Sequence, residues 1–114
     1  MIEDDYKVLE FLSAGLKQKG YEVFTAQNAK SAMTLFFKEN GRFHYTLSDV
    51  VLPDENGLYL VEEMLSYNPA IRIIFCSGYT DNKSCRSMIE ERGYRFMQKP
   101  FTIQQLSQAL RDVA

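Results

Sequence analysis

The chain has no run of apolar residues approaching the roughly 18 that a membrane-spanning helix needs, and no signal-peptide pattern stands at Met1. No membrane insertion and a cytoplasmic location are the expectations. Positive charge is not in excess: 13 Lys and Arg face 15 Asp and Glu, for a formal net charge of -2. The basic field that draws proteins to nucleic acid is therefore missing, and direct nucleic-acid binding is not expected. Only two cysteines occur, Cys76 and Cys85, without a CxxC pair. That excludes a disulfide scaffold, and Cys76 reads as a core thiol, Cys85 as a reduced cysteine on a helix. The lone histidine, His44, reads as structural. Repeats, low-complexity tracts and Pro/Gly/Ser-rich linkers are absent, so residues 1–114 read as a single domain. With 46% hydrophobic residues, and with eight Phe and seven Tyr, the composition is that of a packed globular chain.

Hydrophobic periodicity alternates between helix and strand along the whole length. Val8, Leu9, Phe11, Leu12 and Leu16 recur at helical spacing between Asp5 and Lys19, with Gly20 as the stop. Tyr21–Ala26 reads as a strand, and Asn28 caps a helix running through Asn40. In that helix the Met and Phe residues of Met33–Phe37 read as core. His44–Val51 is a mostly apolar strand entering a turn at Pro53–Gly57. A helix follows over Leu58–Tyr67, and then a strand, Ile71–Cys76, of the buried kind found in parallel sheets. A more polar helix spans about Asp81–Arg92, Tyr94–Gln98 is a last strand, and Thr102 caps a closing helix to Val113. Arg86, Arg92 and Arg95 read as solvated. Strands separated by helices predict parallel βαβ units in a three-layer α/β/α sandwich.

In open α/β sheets, ligands bind beyond the carboxyl ends of the strands. At those ends stand Glu3 and Asp4, before the first helix; Asp49, near the end of His44–Val51; Ser77, directly after Ile71–Cys76; and Lys99, directly after Tyr94–Gln98. Three carboxylates brought together repel unless a cation intervenes. Oxygen ligands without His or Cys favour Mg²⁺. A carboxylate beside such a cation can act as a nucleophile and become an aspartyl phosphate. Lys99 offers a point charge to phosphoryl oxygens, and Ser77 a hydroxyl donor.

From Glu3 to the C-terminus the sequence resembles the response-regulator receiver domains of two-component signalling. The stretches that carry the resemblance are Glu3-Asp4, Gly20-Tyr21-Glu22-Val23, Ser48-Asp49-Val50-Val51-Leu52-Pro53 with Gly57, Ser77-Gly78-Tyr79, and Lys99-Pro100-Phe101. The resemblance implies a flavodoxin-like, doubly wound parallel sheet. It implies that Asp49 accepts a phosphoryl group from a phosphohistidine on a histidine kinase or histidine phosphotransfer protein. Asp4, Asp49 and the Val51 carbonyl would bind Mg²⁺, with Glu3 helping through water. Lys99 would hold the phosphoryl group, Ser77 would move to meet it, and Phe96 matches the aromatic switch position. Ser77-Gly78-Tyr79 further resembles the C-terminal receivers of hybrid sensor histidine kinases. Such a domain is no enzyme beyond its self-catalysed phosphoryl uptake and loss. Two rivals are a degenerate receiver that binds partners without phosphorylation and an aspartyl-nucleophile phosphatase, whose typical DxD pair Asp49-Val50-Val51 breaks.

The pattern starts with a helix, and only Met1 and Ile2 precede Glu3. The first strand of a receiver-like fold is central, so its loss would remove about four large apolar side chains. At ~1.5–3 kcal/mol each, that is about 6–12 kcal/mol, against about 5–15 for a whole domain. The first strand is therefore expected to be truncated, with a cleft or an exchanged segment beside it, and the isolated monomer is expected to be marginal.

Overall fold

A computed structural model describes residues 1–78 and 83–114, and for 83–85 the backbone alone. Tyr79, the start of the polar helix at Asp81 and the side chain of Cys85 lie outside the described residues.

Among the described residues, five helices and three strands follow one another as α1 (Tyr6–Gln18), α2 (Ala29–Lys38), β1 (Tyr45–Asp49), α3 (Gly57–Tyr67), β2 (Arg72–Ser77), α4 (Lys83–Glu91), β3 (Arg95–Gln98) and α5 (Ile103–Val113). The helices start where short polar side chains take up free backbone N–H groups. Asp5 accepts from Lys7 and Val8 at the head of α1, and Asn28 from Ser31 at α2. Thr102 and Gln105 form a reciprocal capping box at α5. Gly20 ends the first helical segment at φ +96°, in the left-handed region that suits glycine.

The three strands are parallel in the order β1-β2-β3. β2 is central among them, and Ile73 through Ser77 are all buried. Its alternating side chains serve two layers. Ile73 and Phe75 pack with Phe36, Val61 and Met64 of α2 and α3. Ile74 and Cys76 pack with Leu12 and Leu16 of α1 and Leu106 and Leu110 of α5. This is the α/β/α sandwich expected from the sequence.

The expected strand Tyr21–Ala26 is a correction: among these residues only Ala26 pairs, in a single bridge to Ile2. The reason lies in its neighbour. Met1–Glu3 runs between this segment and β1, with Ile2 bridging Ala26 on one side and Ser48 on the other, both in parallel. Four backbone bonds tie it in: Ile2 N–H to Leu47 O, Asp49 N–H to Ile2 O, Glu3 N–H to Ala26 O, and Ala26 N–H to Met1 O. Met1 touches residues 21–25 through its ammonium, which donates to Phe24 O at 3.0 Å, but these residues have no ladder partner among the described residues. A cavity of about 430 Å³ opens there, lined by Leu16, Val23, Phe24, Leu47, Leu106 and Leu110 among others. Two edge-to-face ring pairs, Tyr21–Tyr45 and Phe24–Phe43, reach across it. With the short segment counted, the spatial order is flavodoxin-like, and its direction reverses between Met1–Glu3 and β1. That reversal is where ligand crevices form.

Candidate functional site

Each candidate side chain is delivered by the end of an extended segment. Glu3 ends the short N-terminal segment, Asp49 ends β1, Ser77 ends β2, and Lys99 follows β3. Lys99 Nζ stands 2.5 Å from Glu3 Oε1 and 2.7 Å from Asp49 Oδ1. Glu3 and Asp49 are both buried, at 3% and 4% exposure, whereas Asp4 is exposed. Glu3, Asp4 and Asp49 each place a carboxylate oxygen within 4.8 Å of the others.

The electrostatics follow from this crowding. Burial, and then the neighbouring Asp49, push the Glu3 carboxyl up to about 7, only partly offset by Lys99. Burial works against the Lys99 charge, but Asp49 and Glu3 outweigh it and hold the ammonium well above its usual range. Glu3 Oε2 is buried without a hydrogen-bond partner among the described residues. Leaving such an atom unsatisfied costs about 1–3 kcal/mol. An orphaned carboxylate oxygen within an all-oxygen donor set is what a hard divalent cation would satisfy. The residues present therefore fit Mg²⁺.

The loop after Asp49 is pinned at several points. Val50 N–H donates to Cys76 O, Leu52 N–H to Glu55 O, and Gly57 N–H to Val50 O at 2.6 Å. Val51 forms an antiparallel bridge with Asn56, and its side chain is exposed. The Asp54 carboxylate crosses to α2, accepting from Ala29 N–H at 2.8 Å and Lys30 N–H at 3.0 Å. Those two backbone donors hold its carboxyl below the usual range.

Ser77 is buried, and its hydroxyl donates to Gly78 O at 3.3 Å. Phe96 is half-buried, with the Arg86 guanidinium 5.0 Å above its ring, a cation–π contact. Glu3, Asp4, Asp49 and Lys99 thus cluster at one edge of the sheet. Three features escaped the sequence reading. Glu3 pairs directly with Lys99. Asp54 reaches α2. The Cys76 thiol donates to Asp49 Oδ1 at 3.1 Å. All three join residues far apart in sequence, and only the third had a local signal, Cys76 standing beside a site residue.

A doubly wound parallel sheet with an acidic cluster and a lysine at its switch point defines a receiver-type α/β module. The chain belongs to the response regulator receiver domain family, which it matches over residues 1–111. It is 28% identical to the sensor kinase CckA of Brucella abortus over 99% of this chain and 12% of that protein. It is 27% identical to the receiver protein CpdR of the same organism, over 93% of this chain and 87% of that one. Among solved structures, a CheY-like receiver domain protein from Methanospirillum hungatei shares 26% identity at a TM-score of 0.84, covering 97% of this chain and 87% of that one. The chain spans 12%, 21% and 49% of the lengths of CckA, of NtrC from Azospirillum brasilense and of CrdR from Helicobacter pylori. Among the described residues, no helix is long and apolar enough to cross a membrane.

Proposed function

We propose that this receiver domain is a phosphoacceptor: Asp49 takes a phosphoryl group from a histidine kinase or histidine phosphotransfer protein, and the change at the site alters what the domain binds. One observation carries the reading: the buried Asp49 carboxylate stands at the switch point of the sheet with the Lys99 ammonium 2.7 Å away. Asp49 is held in place by β1 and by the pinned loop after it, so the nucleophile is oriented before a donor arrives. Lys99 neutralises charge gathering on the phosphoryl oxygens. Ser77 supplies a hydroxyl from the next strand end, and Phe96 responds to its movement. Asp4, Asp49 and the Val51 carbonyl would hold Mg²⁺, with Glu3 beside them. The cation, when bound, offsets the negative charge of carboxylates and phosphoryl group.

The uptake is stoichiometric, so the domain is no enzyme in the ordinary sense. Its site of action on this reading is cytoplasmic, without membrane insertion or direct DNA contact by the domain itself. The likeness to CckA supports a place in a hybrid kinase; the relatives' other activities belong to those proteins.

Incubation with acetyl phosphate and Mg²⁺, followed by intact-mass measurement, tests the reading. The wild-type chain is expected to gain one labile phosphoryl group and Asp49→Asn none. Undiminished labelling of the variant overturns the assignment. No labelling of the wild type would favour the degenerate receiver, and sustained turnover the phosphatase.

A further inference from the structure

The chemistry above makes no use of the Cys76 thiol, although it touches the phosphoacceptor. Asp49 and Cys76 are register partners on adjacent parallel strands, β1 and β2. Such partners carry their side chains on the same face of a sheet. The Val50 N–H bond to the Cys76 carbonyl, 3.1 Å, fixes the two backbones together at that level. The Cys76 Sγ lies 3.1 Å from Asp49 Oδ1, the same oxygen that Lys99 Nζ approaches to 2.7 Å.

Two donors, one on β2 and one just after β3, therefore converge on one oxygen of the carboxylate. The terminal torsion of an aspartate is otherwise broad and roughly two-fold, so either oxygen could present itself. We infer that Cys76 is a positioning residue: together with Lys99 it fixes Oδ1 and leaves Oδ2 as the oxygen that attacks phosphorus. The inference rests on Asp49 being the phosphoacceptor. The thiol is 3% exposed, which removes it from reach of solvent reagents. An ordinary thiol loses its proton only above neutral pH, so Cys76 carries S–H, a donor. With acetyl phosphate, the Oδ2–P bond forms as the bond between phosphorus and the acetyl oxygen breaks. The bonding pair leaves with acetate and no proton is exchanged. Oδ1 becomes the carbonyl oxygen of the acyl phosphate and can still accept from both donors.

The test is the rate of phosphoryl uptake against acetyl phosphate concentration, at saturating Mg²⁺, for the wild type and for Cys76→Val, Cys76→Ala, Cys76→Ser and Asp49→Asn. Valine keeps the bulk and removes the donor; serine restores one. Cys76→Val is expected to lower the maximal rate about fivefold, the loss that accompanies about 1 kcal/mol. Half-saturation is expected to stay unchanged, because donor binding is untouched. Cys76→Ser is expected to return to within about twofold of the wild type. A cooperatively melting Cys76→Val with the wild-type rate overturns the inference. So does an equal loss in the Val and Ser variants, which would make the role one of packing. If the Val variant fails to fold, Cys76→Ala is judged by the same two comparisons. Undiminished labelling of Asp49→Asn would instead sink the assignment of Asp49 itself.

Discussion

A Cβ on Gly57 would stand 2.0 Å from the carbonyl oxygen of Asp49. The first residue of α3 thus lies directly against the backbone of the candidate phosphoacceptor, an approach open only to glycine. Gly57→Ala must push β1 and α3 apart, and overpacking of this kind costs about 1–3 kcal/mol. A lower denaturation midpoint is expected, together with slower phosphoryl uptake, since the displaced backbone carries Asp49. A variant as stable and as fast as the wild type would show that the contact relaxes without consequence.

Glu3 links the site to pH. Its folded carboxyl titrates near 7, above the ordinary value of 4.5. Between those values the folded state keeps a proton that the unfolded chain has lost, so the contribution of Glu3 to metal-free stability falls as pH rises through that window. The Met1 amine, lowered to about 6 by burial, contributes in the opposite sense between pH 6 and 8. In EDTA, the melting temperature of the wild type relative to Glu3→Gln, a difference in which the Met1 contribution cancels, is therefore expected to be several degrees higher at about pH 5.5 than at about pH 8. Millimolar Mg²⁺ should stabilise more at the higher pH, by binding the folded state with its carboxylates ionised. A melting temperature indifferent to Mg²⁺ at both pH values would speak against a metal site.

Asp54 gives the loop after Asp49 a second anchor, because its carboxylate receives the Ala29 and Lys30 amides of α2. Asp54→Ala is expected to speed hydrogen exchange at those two amides and to lower the denaturation midpoint. Exchange at the α5 amides should not change. Equal exchange in variant and wild type would remove Asp54 from the capping of α2.

The cavity between Phe24 and Leu47 leads to a test by extension. An apolar pentapeptide joined ahead of Met1 is expected to pair with both flanking segments and to bury side chains in both layers. Each well-buried aliphatic side chain contributes about 1.5–3 kcal/mol, so the melting temperature should rise by many degrees. Amides at residues 22–24 should become protected from exchange. An unchanged melting temperature would show that the ring pairs already close the gap.

Most of the fold is legible in the sequence because its signals are local. The apolar spacing of α1, the Asn28 and Thr102 caps and the unbroken apolar run of β2 each lie within a few residues. Tyr21–Ala26 has the composition of a strand, yet strand formation is a property of pairs, and its partner is only the three residues Met1–Glu3. The site divides in the same way. That Glu3, Asp49 and Lys99 stand at segment ends follows from element order alone. That Glu3 rather than Asp4 is the buried partner of Lys99 depends on which face of the short segment meets the sheet. The sequence could not reveal the Asp54 anchor either, since its partners lie 24 and 25 residues away.

The flank of β1 beside that cavity has a consequence for chain handling. At Tyr45 and Thr46, backbone groups of a short β-rich stretch border open space rather than a neighbouring strand, a ready template for pairing with another chain. Charged side chains and proline, the usual guards of such a flank, are missing from Tyr45-Thr46-Leu47. Recovery of folded protein from denaturant should therefore fall as chain concentration rises, with intermolecular strand pairing competing against closure of the Tyr21–Tyr45 and Phe24–Phe43 contacts.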